Sequence, residues 1–136
     1  MTPPLPQAAD LTSLVLRTDF SDETAWNTLK TLLDDHAEHP HATYVSDPAY
    51  TNVSIQTRIE RNTSPPDDHL LLADATTMTD DEHPLLAVDL YDEPGRTVRV
   101  PPRWYAEVSA NLCIANLDFA DFADTADETG TFRGFN

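Results

Sequence analysis

Four aspartates, Asp19, Asp47, Asp74 and Asp89, each stand at or near the end of a short apolar run. In open α/β sheets that edge is where ligands and metals gather. If the runs are parallel neighbouring strands, the carboxylates converge, and convergence either raises a pKa by mutual repulsion or draws in Mg²⁺. Aspartate is equally a good residue for leaving a strand and capping a helix. In "LVLRTDFSDETAW", Asp19 reads more naturally as the strand exit before a cap at Ser21 or Asp22 than as a catalyst.

Two defined carboxylate chemistries do not match the text. A phosphoryl receiver needs a lysine at a late strand end, and Lys30, the sole lysine, falls in the first helical pattern. A dehalogenase-type phosphatase needs two aspartates separated by one residue after the first strand, whereas here they frame Phe20 and Ser21. His36, Glu38, His39 and His41 form a cluster of nitrogen and oxygen donors, with His36, His39 and His41 as weak candidates for a divalent metal. Their proline-containing setting reads as a solvated loop, so no metal and no cofactor is expected.

The C-terminal half is locally richer in cations and exposed-type aromatics, around residues 96–105. Arg96, Arg99, Arg103 and Arg133, with Trp104 and Tyr105, could supply an arginine and aromatic anchor for a partner. They could equally pair with surrounding acids while Trp104 completes the core.

The elements that must position these residues follow from hydrophobic periodicity. Residues 1–12 begin "MTPPLPQAAD" and read as a loose arm, leaving 13–136 as one α/β domain. "SLVLRT" reads as a buried strand, and Ala25, Trp26, Leu29, Leu32 and Leu33 mark one face of a helix running to about His36. "ATYVSD" reads as a second strand. The segment 53–61 fits strand or helix, with a helix preferred because it would supply a second crossover. "HLLLADATTM" reads as a buried strand ending near Asp74, followed by an acidic stretch with Thr79 as a cap, and "LLAVDLYD" reads as another buried strand, central because near-continuous apolar runs are covered on both faces. Pro94-Gly95 predicts a hairpin that turns 97–100 antiparallel to the preceding strand. "RWYAEVSANL" and Asp118 to Ala126 follow as helices. The expected fold is a single-domain mixed β-sheet with flanking helices and one antiparallel hairpin.

Bulk composition excludes further classes. The 136 residues carry 24 Asp+Glu against 8 Lys+Arg, a formal net charge of -16, which repels phosphate backbones and anionic membranes. No nucleic-acid or membrane partner is expected. With 3 glycines the chain lacks a glycine-rich phosphate loop. The single Cys113 and the lack of a long apolar segment fit a reducing cytoplasm.

The stretches "LVLRTDFSDETAW", "YVSDPAY", "HPLLAVDLYDEPGRTVRV" and "NLCIANLDFADFADTADETGTFRGF" resemble an actinobacterial family of small acidic proteins described only as a domain of unknown function. Members read "NNL", "ANMDF" and "DGVFRGF". The resemblance therefore implies signature positions at Asn111, Leu112, Ala115, Asn116, Asp118, Phe119 and Phe132 to Phe135, with departures at Ala110, Leu117 and Thr129. It implies no activity. The combined expectation is a binding or regulatory module that meets another protein through Arg103, Trp104, Tyr105, Asn111, Asn116, Phe132, Arg133 and Phe135. Its alternatives are a metal-assisted hydrolase or lyase using the four aspartates, and an immunity or inhibitor protein.

Overall fold

A computed structural model describes residues 13–35, 42–51, 69–90, 93, 95–113 and 117–134. Strand β1 (Ser13–Arg17) leads through helix α1 (Glu23–Asp35) to strand β2 (Ala42–Val45). A 3-10 turn (Pro48–Tyr50) follows, then strand β3 (His69–Ala73), helix α2 (Ala75–Thr79), strands β4 (Leu85–Asp89) and β5 (Thr97–Val100), and helices α3 (Pro102–Cys113) and α4 (Phe119–Ala123). The sheet order is β2-β1-β3-β4-β5. Strands β2, β1 and β3 run parallel, whereas β3, β4 and β5 form an antiparallel meander. The fold is therefore a single-domain α/β arrangement with a five-stranded mixed sheet.

The apolar runs are continuous because the sheet is covered on both sides. On one face Val15, Leu71, Ala87 and Val98 meet Trp26, Leu29 and Leu33 of α1, Tyr105 and Val108 of α3, and Phe119 and Phe122 of α4. On the other, Leu14, Leu16, Leu70, Leu72 and Val88 pack with Tyr50 and Leu90. Each fully buried large aliphatic side chain contributes about 1.5–3 kcal/mol, so the three-leucine run of β3 is a major part of the drive to form the sheet. β3 is the middle strand of the five and β4 lies next to it. The "LLAVDLYD" run is thus interior but off-centre.

Helix α1 starts where the carboxylate of Asp22 accepts the backbone N–H of Ala25 at 3.0 Å. The hairpin between β4 and β5 turns at Gly95, whose φ of +98° lies in the left-handed region. Asp89 N–H donates to the carbonyl of Arg96, and Gly95 N–H donates back to the carbonyl of Asp89. Helix α2 departs from the periodicity reading, which ends the strand near Asp74, assigns no helix to 75–79 and offers Thr79 as a cap. Asp74 caps it instead: its carboxylate accepts Thr77 N–H at 3.1 Å, and its own N–H donates to Thr77 Oγ1 at 3.2 Å. A five-residue helix has too few positions to display a period.

The segments 1–12 and 53–61 lie outside the described residues, as do His36, His39, His41, Asn116 and Phe135. Among the described residues no helix is long and apolar enough to cross a membrane.

Candidate functional site

Three of the four strand-end aspartates stand at one edge of the sheet, because β1, β2 and β3 are parallel. Each has a local task there. Asp19 Oδ1 accepts the N–H of Ser21 at 2.8 Å and its hydroxyl at 2.6 Å, a turn that leads into α1. The carbonyl of Asp47 accepts Tyr50 N–H and closes the 3-10 turn. Asp74 caps α2 and takes both ends of the Arg99 guanidinium, at 2.9 and 3.0 Å. Burial would push the Asp74 carboxyl up; the hydrogen bonds from Arg99 and from Thr77 N–H outweigh it and hold the group below its ordinary value.

Asp89 stands at the opposite edge, since β4 runs antiparallel to β3. Its Oδ2 accepts Glu93 N–H at 2.9 Å inside the hairpin. Asp89 also lies opposite His69 in the strand register. His69 Nε2 is 2.7 Å from Ser13 Oγ, and Ser13 Oγ is 2.6 Å from Ser109 Oγ on α3. Periodicity had no access to this row of polar groups across two strands and a helix. Ser13, His69 and Ser109 are all buried, so the row joins elements through the core. Among the described residues no group of three or more His, Cys, Asp or Glu is placed to hold a metal ion.

The C-terminal segment builds the most developed surface. The text "DFADFADTAD" repeats every three residues, a signal the helical periodicity reading passed over. Phe119 and Phe122 point into the core, while Asp118, Asp121, Asp124 and Asp127 remain exposed. Asp124 pairs with Arg96 across the surface. Asp127 accepts the hydroxyl of Thr129, the Nε–H of Arg133 and the N–H groups of Thr131 and Thr129. These contacts, the Thr129 hydroxyl foremost, hold its carboxyl well below the usual range.

The turn at Asp127 delivers residues 131–134 as a strap along β5. Arg99 N–H donates to the carbonyl of Gly130, and Phe132 N–H donates to the carbonyl of Arg99, both at 2.8 Å. The strap thus covers the outward polar groups of Arg99 on the edge strand. Phe132 turns inward and meets the rings of Phe122 and Trp104 at 5.1 and 5.8 Å, edge to face. Arg133 turns outward and grips Glu82 with both Nη atoms, at 2.7 and 3.0 Å. Between the strap and α2 runs a groove of about 340 Å³ walled by Arg99, Arg133, Thr129, Thr131, Asp80 and Glu82. Beyond the strap, exposed Arg103 lies over the half-buried Trp104 at 5.0 Å.

The anchors expected from sequence therefore divide. Arg103 and Arg133 are exposed and Trp104 is half-buried, whereas Tyr105 and Phe132 are core residues. Asn111 faces along α3 and donates to the carbonyl of Glu107.

A family model described as a domain of unknown function, DUF6924, matches residues 12–135, from the start of the first strand through the strap. The chain belongs to that family. No curated protein sequence matches it. DUF6924 membership thus takes in the whole sheet, its helices and the C-terminal face, and brings no activity with it.

Proposed function

We propose that this DUF6924 protein is a binding module that engages a partner protein bearing a basic surface, and that it does so through the face around the C-terminal strap. The observation that carries the reading is the exposed Arg103 lying over the half-buried Trp104, whose ring is fixed to the core by Phe132 of the strap. Arginine and tryptophan are the side chains that most often anchor interfaces, and both are held here in place before contact. Arg99 is paired with Asp74 and Arg133 with Glu82 and Asp127, so the cations of the groove are neutralised and Asp80 adds a further negative charge to its wall. A chain with net charge -16 steers basic surfaces towards itself and repels acidic ones. A cytoplasmic, regulatory role fits a chain with a single cysteine and no visible set of groups for bond chemistry.

The test places a photo-crosslinking side chain at position 103 and, as a control, at Asn27 on the exposed side of α1, in the native cell. Position 103 should give a defined adduct with a basic protein, lost in Trp104→Ala and weakened by salt. Equal adducts from both positions, or none from 103, would remove the reading.

A further inference from the structure

The carboxyl edge of β1 holds an arginine whose hydrogen bonding is incomplete. Arg17, the last residue of the strand, is 2% exposed and stands between the ends of β2 and β3. This is the point where the strand order changes direction, the crevice in which α/β sheets bind their ligands. Guanidinium offers five N–H donors. Nε donates to the carbonyl of Asp19 at 3.0 Å, and Nη1 donates to Glu23 Oε2 at 2.8 Å and Ser46 Oγ at 3.2 Å. Nη2, with two donors, is buried and meets no acceptor among the described residues. Buried donors are rarely left unmet, and a charged one is the most costly to leave so.

Among the described residues the neighbouring acids do not reach Nη2. Asp19 turns its Oδ1 to Ser21, and Asp22 turns its Oδ1 to Ala25 N–H. Glu23 brings one oxygen, to Nη1 alone, from a side chain that is 71% exposed. That contact joins a buried guanidinium to a carboxylate in solvent, and the Glu23 end can turn to water. The faces of the cation are flanked by Phe20 at 4.4 Å and Trp26 at 5.3 Å, which fix its plane. With Glu23 turned away, the edge formed by Nη1 and Nη2 matches a planar acceptor with two oxygens.

We propose that this edge binds the carboxylate of a small organic acid, which spans Nη1 and Nη2 as Glu23 swings into solvent. The charge of the ligand is limited by its surroundings. Asp19, Asp22 and Asp47 line the same sheet edge, so a monoanion is accepted where a phosphate dianion is repelled. The site is separate from the C-terminal face and stands or falls independently of it.

The test titrates the full chain with sodium acetate, sodium benzoate and inorganic phosphate at constant ionic strength, following the Arg17 side-chain N–H signals by NMR. Both carboxylates should give saturable shifts, and phosphate weaker ones. Glu23→Gln, which removes the competing carboxylate, should tighten acetate binding about fivefold, the scale of an exposed ion pair. Arg17→Met should abolish the response. Should that variant fail to fold, Glu23→Gln decides alone, because unchanged or weaker acetate binding in it overturns the proposal. So does the absence of saturable shifts with either carboxylate, or tighter binding of phosphate.

Discussion

Phe132 and Arg133 are adjacent, yet the backbone of the strap sends one into the core and the other into water. Phe132 is fully buried against Phe122 and Trp104, so Phe132→Ala should cost about 3–5 kcal/mol in urea unfolding, the range for a large aromatic removed from a core. Arg133 pairs with Glu82 on the surface, where both side chains are about half exposed. Arg133→Ala should therefore leave the urea midpoint almost unchanged. Equal losses would mean that the strap is not seated as described. Both residues belong to the "TFRGF" ending and read alike as candidate anchors in the sequence. Burial separates them, and burial depends on α4 and α3, which periodicity can place in the chain but not against each other.

The short elements owe their existence to particular contacts. Helix α2 rests on the Asp74 cap, so Asp74→Ala should lower stability by about 1 kcal/mol for the cap alone, with the loss of the Arg99 pair added to it. Because the folded-state pKa of Asp74 lies below its ordinary 3.8, the stability it supplies is present above that value and is lost as pH falls through the folded pKa. Arg99→Met should remove part of that acid sensitivity, read as a shallower fall in melting temperature below about pH 4. An unchanged slope would show that the pair does not stabilise the fold. The strap has its own constraint. A Cβ on Gly134 would sit 2.9 Å from the Trp104 ring, and φ there is +98°. Gly134→Ala should shift the Trp104 ring and lower the melting temperature; an unaltered tryptophan emission spectrum in a Trp26→Phe background would contradict this.

At the scale of the whole molecule, a net charge of -16 on 136 residues makes self-repulsion a constant term against the compact state. Raising sodium chloride from about 0.01 M to 1 M contracts the Debye length roughly tenfold, so the melting temperature should rise with salt. The same salt should weaken attachment to a basic partner, because steering is screened along with repulsion. A flat or falling melting curve would mean that the ion pairs Arg96–Asp124, Arg99–Asp74 and Arg133–Glu82 outweigh the global field.

The local pattern of the chain determined its elements. Apolar runs with period two or none made β1, β3 and β4 legible, Trp26, Leu29 and Leu33 marked α1, and Pro94-Gly95 announced the hairpin, because each signal is carried within a few residues. The mixed sheet with flanking helices followed from their order. Only the tertiary structure decided which strands are parallel, and hence that Asp19, Asp47 and Asp74 share an edge from which Asp89 is excluded. It also decided that Ser13, His69 and Ser109 meet, that the strap sits on β5, and that Arg17 is buried with its Nη2 donors unmet among the described residues. Those contacts join residues far apart in the chain, so they arise from packing and leave no local periodicity to read.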